Sequence, residues 1–310
     1  MDFLYLMAVN VGIVSALSPL SIGIIRKIKA RVQNRVGASI FQPYRDLLKL
    51  FRKDEVVSED ASWIFLAAPY IVFGTTLAIA SGLPILSPTF AFLPMGDVLV
   101  FAYLLAAGAF FLALAGVDVG GAFGGFGGSR EMMIASLTEG GLILSLIAAA
   151  FLADSTNLSG IAIGIAQLNG TELLPLFIAA GAFFISLLAE NARYPVDNPA
   201  THLELTMVHE AMILEYSGAR LALMEWASAN KLLIFVAVFV NVLLPWGTPL
   251  FLGGSSLAIG FGWFALKALI ILLAIALIES GMAKFRIFRV PDMLFTSLVL
   301  SVIAILLVII

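Results

Sequence analysis

Residues 190–226, ENARYPVDNPATHLELTMVHEAMILEYSGARLALMEW, form a polar segment between two long hydrophobic runs. The segment contains both histidines of the chain, six of its twenty acidic residues, and Arg193 and Arg220. Charge at this density beside a membrane is costly unless it is paired, hydrated or in contact with another protein. We therefore take this segment as the functional centre and interpret the rest of the chain as the scaffold that positions it.

The hydrophobic runs around this segment predict an all-α, polytopic membrane protein. Of the 310 residues, 61% are hydrophobic and 12% charged, whereas a soluble domain has about 25% charged residues. Eight runs are close to the ~20 residues that cross a bilayer as a helix. They are roughly 3–25, 62–82, 97–116, 131–152, 173–190, 230–250, 257–279 and 291–310. We predict a single integral membrane domain, residues 1–310, with eight transmembrane helices and amphipathic helices in the first and fifth loops.

The distribution of lysine and arginine predicts the orientation. Nine of the seventeen lie between residues 26 and 53, in the first loop, and the second, fourth and sixth loops contain none. The positive-inside rule then places the odd-numbered loops in the cytoplasm and both termini outside the cell membrane.

The first loop contains an amphipathic helix, which we predict over residues 39–51. Its apolar residues recur at helical spacing, and Arg45, Asp46, Lys49 and Arg52 take the other face. Two interpretations remain open, an anchor on lipid headgroups and a docking surface or cavity wall for a soluble partner.

The third loop, VGGAFGGFGGSRE at residues 119–131, is rich in glycine. It follows a membrane helix rather than a strand and fits neither of the glycine patterns that bind nucleotides. We predict a flexible or closely packed backbone turn here.

Two charged residues fall inside predicted membrane helices. Glu139 lies about two turns into the fourth span, where a carboxylate costs about 2.5–3.5 kcal/mol unless water or a partner relieves it. A hydrogen bond to a neighbouring helix is the structural alternative, but we predict a place on a proton pathway. Lys267 lies in the middle of the seventh span, and we expect it to face the interior as the nearest counter-charge.

The polar segment itself predicts a helix. Thr201 and Glu204 have the spacing of a capping box, and helix-forming residues continue to about Trp226, with an interruption at Ser217 and Gly218.

On such a helix Glu204 and Glu215 share one face, and His202 and His209 share the roughly opposite face. The two histidines are ~10 Å apart along the axis, too far to bind one metal ion directly. We expect no metal site, and we expect the histidines to form local hydrogen bonds or to contact a partner.

The carboxylates of the segment are too many for capping alone, and buried carboxylates with histidines can exchange protons near neutral pH. An acid-lined sodium path is the competing ionic interpretation. The predicted pathway comprises Glu139, Glu190, Asp197, Glu204, Glu210, Glu215, Glu225 and Lys267.

The chain contains no cysteine. This excludes disulfides, thiolate nucleophiles and any iron–sulfur cluster ligated by this chain. We expect no cofactor in the chain itself.

Several motifs resemble the NuoH family, the subunit 1 family of respiratory complex I. They are NRVG at 34–37, Gln42 with Pro43, Asp46, EYSG at 215–218, WFALK at 263–267 and the basic loop 284–289. The resemblance covers nearly the whole chain.

One departure is PVDNPATHLE at 195–204, where complex I chains read PFDLPEAESE or similar: two acids are replaced by Ala200 and His202, while Glu204 remains. In this respect the chain is similar to the membrane subunit of energy-converting nickel–iron hydrogenases, of the subunit M or formate hydrogenlyase subunit 4 type, and to that of the archaeal sulfane sulfur reductase.

The resemblance implies a non-catalytic membrane subunit of a ferredoxin-linked, membrane-bound hydrogenase, which docks the peripheral redox arm and links electron transfer to proton or sodium movement. The implied partners are soluble hydrogenase-like large and small subunits, an iron–sulfur subunit and other membrane subunits, including antiporter-like ones, within the lipid bilayer and without nucleic acid. The nickel–iron centre and iron–sulfur clusters would belong to those partners. The implied docking residues are Arg35, Gln42, Arg45, Asp46, Lys49, His202, His209 and Arg286.

Other functions remain open. The equivalent subunit of a sulfane sulfur reductase or of a quinone-binding complex I is the main alternative. A standalone secondary transporter is less consistent with the sequence, which lacks the internal repeat typical of that class.

Overall fold

The computed structural model describes residues 2–88, 94–168, 170–197, 207–249 and 254–309. Within these ranges the protein is helical, with no strand beyond an isolated bridge between Asp97 and Asn157. The helices are α1 Asp2–Val32, α2 Gln42–Phe51, α3 Trp63–Ser81, α4 Val98–Asp118, α5 Ala122–Ala153, α6 Leu158–Ala166, α7 Leu173–Glu190, α8 His209–Met212, α9 Gly218–Val238, α10 Gly254–Gly281 and α11 Val290–Ile309. Eight of these described helices are long and apolar enough to cross a membrane. The prediction of an all-α protein with eight spans is confirmed.

Helix α9 is the centre of the bundle. Its span is 83% buried, against 28% for α10 and 22% for α11. It packs on α1, α2 and α3, and its aromatic residues join those of neighbouring helices, for example Phe235 against Phe101 and Phe183. Helices α10 and α11 instead expose apolar side chains along most of their length, as helices facing lipid or other membrane subunits do.

Helix α9 begins at Gly218, where the sequence predicts an interruption, and continues without a break into the span predicted from residue 230. The hydropathy of the sequence marks only the part of a helix that is apolar all round. The first turns of α9 carry Arg220 and Glu225 and remain helical because they pack against the first loop and border a polar cavity.

The glycine-rich stretch is not a turn, which corrects the prediction: α5 already begins at Ala122. Its glycines allow close packing, as the sequence suggested. A Cβ on Gly127 would lie 2.8 Å from the Ala211 side chain and 3.0 Å from the Val208 carbonyl, and one on Gly116 would lie 3.1 Å from Met212. The bare backbones of α4 and α5 therefore form the surface on which α8 rests.

The helix predicted from Thr201 to about Trp226 is confirmed after its predicted interruption at Ser217 and Gly218, where α9 begins, and is corrected between Met207 and Tyr216. Residues 198–206, which include the proposed capping box and Glu204, lie outside the described residues. Beyond them α8 has only four residues and is followed by a turn; Ser217 is extended and Gly218 has a φ of 55°. Glu215 lies in this turn and not on a helix face.

At its other end α9 continues into a π-helical turn, Phe239–Leu243. Within that turn Asn241 Nδ2 donates to the carbonyls of Pro84 (2.9 Å) and Ile85 (2.8 Å). These contacts attach the end of the central helix to the segment that follows α3.

Candidate functional site

A buried ion pair joins α7 and α9 inside the bundle. Lys231 Nζ lies 2.7 Å from Glu190 Oε2, and the Glu190 side chain is only 6% exposed. Glu131 of α5 borders the same space. A charge at this depth is costly alone, and the opposite charge at contact distance offsets much of that cost. Glu190 was expected on the pathway from the sequence, whereas Glu131 and Lys231 were missed because each stands at the edge of an apolar run.

The three charged groups line a cavity of about 50 Å³, which we call the small cavity. Such a volume accommodates water, and the polar side chains around it supply hydrogen-bond partners. The other polar residues that line it are Thr75, Thr76, Asn191, His209 and Ser228.

A second cavity, of about 780 Å³, lies on the first-loop side of the molecule and is called the large cavity. The end of α1, the first loop, α2 and the described part of the fifth loop surround it. Its lining is strongly charged. The cations are Arg26, Lys29, Arg35, Lys49, Lys53 and Arg193, and the acids are Asp46, Asp197, Glu210, Glu225 and Glu279.

His209 lies between the two cavities. Asn191, His209 and Ser228 line both of them. Burial lowers the pKa of His209 to about 4, and the positive charge of Lys231 lowers it further, so the imidazole is neutral at pH 7. The sequence analysis assigns His209 to the docking surface; in the structure its side chain is partly buried and lines both cavities.

A network of ion pairs holds the walls of the large cavity. The buried carboxylate of Glu279 on α10 lies 2.7 Å from Lys29 Nζ and 3.2 Å from Arg193 Nη1. Asp197 lies 2.7 Å from Lys284 Nζ and accepts from the backbone N–H of Val208 at 3.2 Å. Asp197, predicted as part of the pathway, thus also positions the segment that leads into α8.

The EYSG motif fastens the fifth loop to the first. Ser217 Oγ accepts from the N–H of Val56 and donates to its carbonyl, both at 2.9 Å. Three residues later the backbone N–H of Arg220 donates to Glu55 at 3.2 Å, and its guanidinium pairs with the same carboxylate at 2.8 Å. The motif therefore forms a clasp between two loops that are far apart in sequence.

The tyrosine and glycine of the motif complete this clasp. Tyr216 stacks on Phe65 with ring centroids 4.0 Å apart and donates to the Phe65 carbonyl at 2.8 Å. Burial raises the pKa of Tyr216, and nearby Asp118 raises it further. Gly218 has a positive φ, and a Cβ there would lie 3.1 Å from the carbonyls of Lys53 and Asp54.

Helix α2 of the first loop lies against α1. Its Tyr44 hydroxyl donates to the Ala16 carbonyl, and Pro43 and Leu47 are buried. The sequence places an amphipathic helix here, and the structure shows one. Phe41 and Leu48 remain exposed on its other side.

The residues predicted to dock a partner are divided by the structure. Arg35, Asp46 and Lys49 line the large cavity, and Gln42 donates to Asp46 at 2.8 Å. Arg45 and Arg286 are exposed and lie outside that lining. His202 lies outside the described residues.

The remaining pathway residues occupy different places. Glu210 and Glu225 line the large cavity. Glu139 is half-buried on α5, within electrostatic range of Glu190 and Lys231. Glu215 is exposed, and Glu204 lies outside the described residues.

Lys267 is not the counter-charge to these acids, which corrects the prediction. Its ammonium donates to the carbonyls of Val240 (2.6 Å) and Leu244 (3.0 Å) at the π-helical end of α9. Lys231 pairs with the Glu190 carboxylate instead.

In the part of the chain that the structure describes, no three histidine, aspartate or glutamate side chains form a group suited to a metal ion.

Comparison with known proteins agrees with this architecture. The chain is 34% identical to formate hydrogenlyase subunit 4 of Escherichia coli (strain K12) over 89% of each protein. It is 36% identical to hydrogenase-4 component C of the same organism, covering 87% of this chain and 84% of that one. In fold it is similar to a chain of the membrane-bound sulfane sulfur reductase, an archaeal respiratory membrane complex, with a TM-score of 0.84, 23% identity and coverage of 99% and 100%. Residues 4–310 match the NADH dehydrogenase family, and the chain, a multi-pass membrane protein, belongs to that family.

Proposed function

We propose that this chain is the membrane subunit of a ferredoxin-linked, hydrogenase-like complex, in which it docks a peripheral redox arm and couples electron transfer to proton or sodium movement. The observation that carries the proposal is the Glu190–Lys231 ion pair with Glu131 beside it, reached from the large cavity through polar residues. The proposal is supported by the identity of more than 30% to two hydrogenase membrane subunits over most of the chain.

The coupling step follows from the chemistry of the ion pair. A carboxylate can take up a proton and release its lysine, so the pair can exist in more than one charge state. In a poorly hydrated site each state acts strongly on its neighbours. A charge change in the peripheral arm or the large cavity would therefore alter the affinity of this cluster for protons or sodium ions.

The docking surface is formed by the first loop. Arg35 and Lys49 are exposed at the rim of the large cavity, and Phe41 and Leu48 are exposed on α2. The EYSG clasp holds this loop against the start of α9. A surface ordered in advance lowers the entropic cost of binding, and its charges select a partner of opposite potential.

The electron carriers belong to the partners in this proposal. The chain has no cysteine, so an iron–sulfur cluster with the usual thiolate ligands cannot be held here. The nickel–iron centre and clusters would lie on hydrogenase-like large and small subunits and an iron–sulfur subunit, with antiporter-like subunits beside this one in the membrane. The first loop would face the cytoplasm, with both termini outside.

A quinone site of complex I type is the second candidate, and the size of the large cavity favours it. Ligand pockets are typically about 300–1,000 Å³ and mainly apolar, and this cavity has about 780 Å³. Its lining, however, carries six cations and five acids. Such a lining suits water, ions and a polar protein segment better than a quinone ring.

The test is to replace Glu190 by Gln and to measure two activities on inverted membrane vesicles that contain the assembled complex. We expect electron transfer to an artificial acceptor at the peripheral arm to continue, and redox-driven ion uptake to fall about tenfold or more. Glu172→Gln, an exposed carboxylate next to α7 at its far end, is the matched control and keeps both activities. Normal ion uptake in Glu190→Gln vesicles would refute the coupling role.

A further inference from the structure

We propose that His209 is the valve through which protons pass from the large cavity to the Glu131–Glu190–Lys231 cluster. The inference rests on the proposed function and deepens it, because it names the entry step and commits the moving ion to the proton. It reassigns a histidine that the sequence placed on a docking surface.

The first observation is position. Three residues, Asn191, His209 and Ser228, line both cavities, and His209 is the only one of the three whose side chain ordinarily titrates near neutral pH. The imidazole is therefore the titratable group among the residues that line both cavities.

The second observation is an unpartnered acceptor at the same boundary. Asn191 Nδ2 donates to the Leu187 carbonyl at 2.8 Å, and the amide Oδ1 does not take part in this bond. That oxygen is buried and has no hydrogen-bond partner among the described residues. Buried acceptors are rarely left unpaired, so this oxygen is a place for a water molecule where the two cavities meet.

The third observation is that the histidine is held in place from two sides. Val208, immediately before it, donates its N–H to Asp197 at 3.2 Å. The α8 backbone also rests on α4 and α5, where a Cβ on Gly127 would lie 2.8 Å from the Ala211 side chain and one on Gly116 would lie 3.1 Å from Met212. The backbone that carries His209 is thus held in place, while its imidazole, with two chemically distinct nitrogens, can accept a proton on one side and release one on the other.

The charges around the ring explain why it acts as a valve rather than an open path. They come from every side: Lys231 on α9, Glu131 on α5, Glu190 at the end of α7, Arg193 and Asp197 after α7, and Glu210 beside it in α8. Burial and the positive charge of Lys231 keep the ring neutral. The imidazole gains basicity when the cluster gains negative charge, so a proton enters only when an acceptor carboxylate is ready.

The transfer step balances without any redox change. A proton from water in the large cavity forms a bond to one ring nitrogen. The N–H bond at the other nitrogen breaks, and its proton passes through water in the small cavity to the carboxylate of Glu131 or Glu190. Rotation of the ring then turns the remaining N–H toward the small cavity and the unprotonated nitrogen toward the large cavity, ready for the next proton.

The experiment uses inverted vesicles that contain the whole complex, with proton uptake and electron transfer measured on the same preparation. His209→Gln keeps a polar side chain of similar size without titration, and we expect proton uptake per electron to fall about tenfold or more. His209→Ala is expected to show the same loss, and imidazole added to the vesicles should restore uptake in this variant alone. Met212→Leu, a volume-conserving change in the same short helix, controls for disturbed packing.

The outcomes separate this inference from the proposed function. If Glu190→Gln stops proton uptake while both histidine variants pump normally, the valve is wrong and the coupling cluster stands. If Glu190→Gln pumps normally, the proposed function fails first. Uptake that is lost in His209→Ala but not restored by imidazole, or histidine variants that fail to assemble while Met212→Leu assembles, would show that the ring has only a structural role and overturn the valve.

Discussion

Two intramembrane lysines join the central helix to its neighbours in different ways. Lys231, on α9 itself, pairs with the Glu190 carboxylate at 2.7 Å and borders a cavity. Lys267, on α10, donates to the carbonyls of Val240 and Leu244 where α9 ends in its π-helical turn.

The difference between them is whether the partner can change its charge. Backbone carbonyls at a helix end carry a partial negative charge that is fixed, so a lysine there acts as a cap. A carboxylate can be protonated, so the same ammonium can be released and recaptured. A lysine within a membrane is thus a candidate for ion movement only when its partner titrates and water can reach it.

Replacement of each lysine by Met should give the largest difference between the two sites. Lys231→Met leaves Glu190 buried without its counter-charge, which costs about 3–5 kcal/mol and removes the switchable pair. We expect redox-driven ion uptake by Lys231→Met vesicles to fall about tenfold or more, while Lys267→Met keeps normal uptake per assembled complex. Equal loss in both variants, after normalisation for subunit content, would remove the distinction.

The pH dependence of stability tests the surroundings of Lys231, through the neighbouring His209. The pKa of His209 is lowered to about 4, against ~6.5 in an unfolded chain. The folded protein therefore binds this proton less readily, and its stability is complete above pH ~6.5 and falls toward pH 4 by ~3 kcal/mol. We expect His209→Gln to flatten the dependence of thermal unfolding in detergent on pH over that interval, and Lys231→Met to flatten it in part. Parallel curves for all three proteins would contradict this account.

Thermal stability measures the contribution of Lys267 as a cap on the end of α9. Lys267→Met removes the charged hydrogen bonds to the Val240 and Leu244 carbonyls, and a polar group left unpaired within a membrane is costly. We expect unfolding in detergent to require about 2 kcal/mol less, with most of the loss recovered in Lys267→Arg. Leu266→Met, at an exposed neighbouring position on α10, is the control. A Lys267→Met variant as stable as this control would mean that the carbonyls find other donors.

The smallest effect is expected at the start of α9, in the EYSG clasp. Ser217→Ala removes both hydrogen bonds to Val56, in a loop where water can replace them, so we expect a loss of about 0.5–1.5 kcal/mol. The change should appear as faster proteolysis of residues 53–57, without loss of ion uptake. Ser58→Ala, in the same loop but without a bond to α9, serves as the comparison. Equal cleavage of the two variants would show that Glu55 and Arg220 hold the clasp alone.

The sequence was a good guide wherever a property depends on neighbouring residues. Apolar runs of membrane-spanning length locate eight helices, and α7 begins and ends where its run does. The helical spacing of apolar residues identifies α2. The motifs shared with the NuoH family identify the family, because a motif is a local pattern.

The sequence was a poor guide to where two membrane-spanning helices begin. The glycine-rich stretch predicts a turn, yet it begins α5, because packing against α8 outweighs the weak helix propensity of glycine. Residues 218–226 are helical as predicted, but they are the first turns of the spanning helix α9 rather than part of a separate loop helix.

The sequence alone determined the class of the protein, its number of membrane spans, its family and the polar segment that matters. Only the tertiary structure decided which charges meet: Glu190 with Lys231, Glu279 with Lys29 and Arg193, and Lys267 with carbonyls rather than with an acid. It also brings His209 to the boundary between two cavities. Hydropathy and helical period are short-range properties, whereas each of these pairs joins different helices, and only the packing of the whole bundle brings their side chains together.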